Sequence, residues 1–192
     1  EDTEKRRRAI NAKRTFENLF SLGFIPIVNE NDSIATSEIK YGDNDRLASR
    51  VAQISSADCL ILLSDVSGLY SKDPKLDKKA KLIREIKNID QNVEKLATNK
   101  TGEFGSGGMK TKIDAAKICQ FSGCYMAIAN GLINRPIQKI LTKNICTWFL
   151  PKISKLDARK KWIISSVSPK GKIIIDEGAL SALNNGKSLL AA

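Results

Sequence analysis

Apolar residues recur at helical spacing along the opening stretch. Ala9, Ala12, Phe16, Leu19 and Phe20 share a face with charged residues between them, which predicts a helix over 3–22 ended by Gly23. Phe24–Asn29 (FIPIVN) is a short apolar run and predicts a buried strand, with Pro26 marking an edge position or the strand start. A polar stretch, Glu30–Asp45, separates it from a second helix. Asp43–Asp45 offer N-cap side chains there, and Leu47, Val51 and Ile54 form the apolar face. Cys59–Leu63 predicts a buried strand ending at Ser64-Asp65, followed by a turn-rich segment over Val66–Asp77. Leu82–Ile86 reads equally as strand or helix, and Asn88–Leu96 as helix. A glycine-rich loop, Thr98–Gly108, runs into a helix with Met109, Ile113, Ala116 and Cys119 or Gln120 on one face. Gly123 ends that helix, Cys124–Ala129 is a further strand, and Arg135–Thr142 a further helix.

Strands alternating with helices predict an α/β fold, a three-layer αβα sandwich with a mainly parallel sheet. Ligands of such sheets bind past the carboxyl ends of the strands. The polar residues at those ends are Asn29–Asp32, Ser64-Asp65 and Asn130-Gly131. The pattern changes after Pro151. Lys152–Lys161 is a basic linker, Trp162–Ser165 and Lys172–Ile175 read as strands, and Glu177–Asn184 as a short helix closed by Gly186. The expected division is therefore residues 1–150 and residues 151–192.

Composition narrows the chemistry. The chain of 192 residues has 42% apolar residues, enough for a sizeable core. It has no histidine, which removes Ser-His-Asp and Cys-His nucleophilic catalysis and every histidine-based metal site. Lys, Arg, Asp, Glu, Asn, Ser, Thr and backbone amides remain. Phosphoryl transfer suits that set, because it needs positioning and charge neutralisation more than proton shuttling. The four cysteines include no C-x-x-C pair; Cys59 and Cys124 start apolar runs and are expected as reduced, buried thiols, in a cytoplasmic protein with free thiols. The longest purely apolar run, Cys124–Ala129, is far short of a membrane span, so no membrane partner is expected. The net charge of +11 fits either a solvated lysine-rich surface or a nucleic-acid patch.

Three stretches could carry chemistry. In Gly105–Lys112 (GSGGMKTK), glycines would let backbone approach a phosphate at a helix N-terminus, with Lys110 and Lys112 adding charge. The spacing is not that of a Walker A loop, and a plain glycine-rich connection is the alternative. Asn29–Asp32 and Gly42–Asp45 bring Asn and Asp together in numbers that could bind an amine, a metal or a lysine, or could serve as caps and turns. Ser64-Asp65 with Gly68–Tyr70 could wall a nucleotide pocket or simply end a strand.

Three strings, Ile25–Ala52 (IPIVNENDSIATSEIKYGDNDRLASRVA), Leu60–Pro74 (LILLSDVSGLYSKDP) and Gly105–Ala116 (GSGGMKTKIDAA), together closely resemble the glutamate 5-kinase family, in the family's order. Arg159–Ala179 is similar to the family's junction with a C-terminal PUA domain. The resemblance implies the amino-acid kinase fold, with ATP and Mg²⁺ as cofactors. It also implies transfer of phosphate to the side-chain carboxylate of L-glutamate, the first step of proline biosynthesis. By position, Asp32 and Asn44 match residues that hold glutamate, with Asn29 in the same loop. Asp45 matches an acid that orients catalytic lysines, and Lys112 a lysine that stabilises the phosphoryl group in flight. Ser64 and Asp65 match nucleotide-binding positions, Ser64 standing where the family often has Thr. Ser106, Gly107, Gly108, Met109, Lys110, Thr111 and Lys112 match a second nucleotide loop. No residue is matched to a metal-ligand role.

The family's opening strand, its first glycine-rich loop with a phosphate-binding lysine, and a glutamate-contacting serine all precede the matched region. Roughly the first third of a family member is thus expected to lie before residue 1, and the PUA domain to stop short after Leu190. The chain alone is therefore expected to have little or no kinase activity. The family further implies a homo-oligomer and feedback inhibition by proline through the loop around Asn29–Lys40. Two other readings stand beside this one. One is a kinase of the same fold acting on aspartate or a nucleoside monophosphate. The other is a non-catalytic RNA-binding remnant, motivated by the PUA resemblance and the charge, although so short a PUA start is not expected to form an RNA surface.

Overall fold

The computed structural model describes residues 6–29, 43–74, 76–98, 106–154, 156–158 and 175–187. In chain order the elements are α1 (Arg6–Ser21), α2 (Asp43–Ile54), β1 (Cys59–Ser64), β2 (Glu85–Ile86), α3 (Gln91–Thr98), α4 (Ser106–Phe121), β3 (Tyr125–Asn130), α5 (Pro136–Lys143), β4 (Thr147–Phe149) and α6 (Glu177–Asn184). One four-stranded sheet runs in the order β1-β3-β4-β2. β1 pairs parallel to β3 from Cys59 opposite Tyr125 to Ser64 opposite Asn130. β4 pairs antiparallel to β3 and parallel to β2. The α/β architecture expected from the pattern is present, and two of the three strand pairings are parallel.

α4 is the spine of the core. Its buried residues, Met109, Ile113, Ala116 and Cys119, follow the predicted face, and Ala115 and Gln120 are buried with them. They pack with Leu62 of β1, Met126 and Ile128 of β3, and Phe149 of β4. Gln120 is satisfied inside the core, its side-chain amide donating to the Lys87 carbonyl at 3.1 Å. Gly123, at φ +71°, turns the chain out of α4 and into β3, as predicted. Lys117 of α4 reaches Glu94 of α3 at 2.7 Å, which ties the two helices at the surface.

Four expectations are corrected. Phe24–Asn29 is not a strand, and Phe24, Ile25, Ile27 and Val28 are exposed, Ile27 by 97%. A strand needs a partner, and the described sheet contains none for this segment. The apolar face of α2 also differs. Leu47 and Val51 are only half-buried, while Ser49 and Ala52 are buried and Ala48 packs against the core. Small residues let α2 lie close on α4, a tertiary demand that local amphipathicity does not reveal. The glycine-rich stretch is helical from Ser106 onward rather than a loop through Gly108. The first turn of a helix has no intrahelical use for its N–H groups, so glycines fit there. Finally, β4 lies inside the sheet at a place where no strand was expected. The expected strand at 162–165, and all but Ile175 of that at 172–175, lie outside the described residues. The helix expected over 177–184 is present, capped by the Asp176 carboxylate accepting the Ala179 N–H at 2.7 Å.

Thr147 of β4 pins the turn that leaves β1. Its hydroxyl accepts the Leu69 N–H at 2.8 Å and donates to the Ile83 carbonyl at 2.6 Å. Gly68 sits directly against it at φ +150°, and a Cβ there would collide with the Thr147 hydroxyl and lie 2.9 Å from its backbone nitrogen. Gly68→Ala is therefore expected to destabilise the fold by about 2–4 kcal/mol through overpacking and backbone strain. A lower denaturant midpoint at unchanged slope is the readout.

The cysteines are free thiols, and Cys119, Cys124 and Cys146 are buried. A hydrogen bond that the Cys119 thiol donates to Cys124, together with burial, pushes the Cys119 thiol far above the usual thiol range. Cys59, expected to be buried, is exposed, because β1 is an edge strand of the described sheet; partial burial of its thiol and the neighbouring Cys124 still raise its pKa. Native protein is expected to react with a thiol reagent first at Cys59, faster as pH rises through the thiol range. The other three should react only on unfolding. Counting labelled thiols before and after denaturant checks this.

Candidate functional site

α2 and α4 lie against each other, and their contact brings together residues 67 positions apart in the chain. Lys112 Nζ donates to Asp45 Oδ2 at 2.9 Å. Thr111 Oγ1 stands 2.9 Å from the same oxygen. The Lys112 and Asp45 side chains are 15% and 16% exposed, so water screens the pair only partly. Asp45 lies in the first turn of α2, where the helix dipole favours a carboxylate. Lys112 lies in the second turn of α4, near the end where free N–H groups gather.

No acidic residue stands in the first turn of α4. The Lys112 ammonium is met instead by the Asp45 carboxylate from α2. Gly108 is exposed, and a Cβ there would meet nothing within 4 Å. The surface at Gly108 is therefore open, and Lys110 is exposed beside it. The arrangement offers a held cation and a helix N-terminus to a polyanion, which is the chemistry of phosphate binding.

The other expected site residues fall into separate groups. Asn29 and Asn44 both line a groove of about 420 Å³ formed with Pro26, Leu47, Val51 and Leu60. The Ser64 hydroxyl donates to Asp65 at 3.0 Å at the carboxyl end of β1. The Ser64 carbonyl accepts the Gly131 N–H at 2.7 Å, which locks the ends of β1 and β3 together. Met109 is buried and shares a small cleft with Gly68, Leu69, Tyr70 and Leu96. Asp32 lies outside the described residues, as do Gly105 and most of the loop before α4; of Ser106 and Gly107 only the helical backbone is described.

Sequence reasoning missed Thr147. Three β-forming residues in a row, Thr147–Phe149, were the available signal. Among the described residues no group of three or more His, Cys, Asp or Glu is placed to hold a metal ion, and no helix is long and apolar enough to cross a membrane.

A family model, that of the amino acid kinase family, matches residues 1–130. The glutamate 5-kinase of Pelagibacter ubique (strain HTCC1062) is 78% identical over 192 residues, covering all of this chain and 52% of that protein. The glutamate 5-kinase of Nitrobacter winogradskyi is 50% identical over the same 192 residues, covering 51% of its own length. The chain thus spans about half the length of the curated relatives it matches. Among solved structures, the UMP kinase from Ureaplasma parvum is similar at 18% identity and a TM-score of 0.39, over 74% of this chain and 67% of that one.

Proposed function

The chain belongs to the amino acid kinase family, and on that premise we propose that it is part of a glutamate 5-kinase, which phosphorylates the side-chain carboxylate of L-glutamate with ATP. The observation that carries this reading is the Lys112–Asp45 ion pair at the start of α4, 2.9 Å long and largely shielded from water. Glutamate relatives at 78% and 50% identity support the choice of substrate over aspartate or a nucleoside monophosphate. The nucleic-acid reading rests on the net charge of +11 and on a PUA-like junction that falls mostly outside the described residues.

In the reaction a carboxylate oxygen of glutamate attacks the γ-phosphorus of ATP, the bond to the β-phosphate oxygen breaks, and ADP leaves. An anion thus approaches a polyanion, and charge develops on the transferring group. Lys112 meets that charge, held in place by Asp45 so that little reorganisation is needed at the moment of transfer. Asn44, Asp32 and Asn29 hold glutamate, a carboxylate of this set taking its ammonium. Ser64 and Asp65 at the end of β1, and Ser106–Lys112 at the start of α4, hold the nucleotide. Mg²⁺ would neutralise phosphate charge, as magnesium commonly does on substrate phosphates.

The remaining parts of the proposal follow the family. Residues 1–150 belong to the kinase domain, and 151–192 form a linker and the start of a PUA module. The protein acts in the cytoplasm as a homo-oligomer, subject to proline acting near 29–40. The test completes the chain with the portions of the Pelagibacter ubique relative that it does not match. With ATP, glutamate and hydroxylamine this protein should form γ-glutamyl hydroxamate, while the 192-residue chain alone forms little or none. Equal turnover of aspartate would move the substrate, and full activity of the chain alone would refute the division of the site.

A further inference from the structure

Thr111 immediately precedes Lys112 on α4, and by resemblance it belongs to the nucleotide loop. Its hydroxyl has another partner in the structure. Thr111 Oγ1 is 2.9 Å from Asp45 Oδ2, the oxygen that also accepts from Lys112 Nζ at 2.9 Å. The Gly108 carbonyl, one turn back, is equally near at 2.9 Å. A hydroxyl carries one proton, so these two acceptors compete for it. A bond to an ionised carboxylate is the stronger, so Asp45 takes the proton. Threonine's branched Cβ limits its rotamers in a helix, and the rotamer that reaches back toward the preceding turn is also the one that meets Asp45.

We propose that Thr111 is a positioning residue, whose hydroxyl fixes the Asp45 carboxylate and through it the Lys112 ammonium. The inference rests on the reading of Lys112 and Asp45 given above. A carboxylate held by one donor can still swing about its side-chain torsions. Two donors from successive residues of one helix grip a single oxygen from two directions, so the lysine cannot carry its counter-ion away from the helix start. The hydroxyl thereby acts on the transition state through Asp45.

Thr111→Val keeps the branched shape and removes the hydroxyl; Thr111→Ser keeps the hydroxyl. In the completed protein the valine variant should lose about tenfold or more in kcat, with KM for ATP within about twofold of the parent. Serine should restore most of the rate. A double variant, Thr111→Val with Asp45→Asn, should be no slower than Asp45→Asn alone, because residues acting through one another are non-additive. Where valine does not fold, Thr111→Ala takes its place in the same comparison. A raised KM for ATP at unchanged kcat would make Thr111 a nucleotide contact and overturn the inference, as would fully additive losses in the double variant. Full activity in Thr111→Val with inactive Lys112→Ala would overturn this inference alone. Full activity in Asp45→Asn and Lys112→Ala would overturn it together with the reading of the site.

Discussion

Lys112→Ala in the completed kinase is expected to lower kcat by about 10²- to 10³-fold, the loss typical of removing one preorganised donor from a transition-state charge. Three features of the structure set that expectation. The ammonium sits in the second turn of α4, close to the helix end where backbone N–H groups are free. It is only 15% exposed, so its charge is felt over a greater range than that of a surface lysine. It is also already paired with Asp45 at 2.9 Å, so its position is set before substrate arrives. Arginine at the same place should rescue poorly, because a planar fork does not replace a compact ammonium anchored to one carboxylate oxygen. Substrate affinities should change less than the rate. If KM for both substrates rose at constant kcat, Lys112 would be a ground-state contact only.

Asp45→Ala should be nearly as damaging to activity and more damaging to the fold. The variant leaves Lys112 charged, mostly shielded from water and without its counter-ion, and it strips an acceptor from Thr111. Breaking one side of a buried pair is worth about 3–5 kcal/mol; at 16% exposure the expected loss is about 2–3 kcal/mol. The rate should fall by about 10²-fold, since Lys112 is then free to sample positions away from the phosphoryl path. A double-mutant cycle on stability separates the parts. Lys112→Ala combined with Asp45→Ala should recover part of the stability lost in Asp45→Ala, because no unpaired ammonium remains. Strictly additive stabilities would mean that the pair is not coupled in solution.

The sequence made dense periodic segments legible and left pairings obscure. The buried face of α4 could be read directly, because Met109, Ile113, Ala116 and Cys119 recur with the period of a helix over several turns. β1 and β3 were legible as compact apolar runs between turns. Phe24–Asn29 looks the same locally, yet it is exposed, because an apolar run becomes a strand only where another strand offers its edge. β4 is three residues long, and its place between β3 and β2 depends on pairing with both neighbours, antiparallel to one and parallel to the other, rather than on any alternation of its own. On α2 the amphipathic pattern favoured Leu47 and Val51, but close approach to α4 is made through Ala48, Ser49 and Ala52.

The candidate site divides in a similar way. A helix N-terminus rich in glycine and lysine is visible as a string. The meeting of Asp45 with Thr111 and Lys112 is not, because no local rule joins residues so far apart in sequence. Likewise the buried threonine that fixes the turn after β1 could only be found once β4 was placed beside it.

A single turnover decides whether this chain supplies glutamate-phosphorylating machinery. The completed protein is mixed with γ-labelled ATP and L-glutamate, quenched, and the label is traced. Label is expected in an acid-labile acyl phosphate that appears only with glutamate and is lost in Lys112→Ala. Label released as inorganic phosphate at a rate indifferent to glutamate would rule out glutamate as the acceptor.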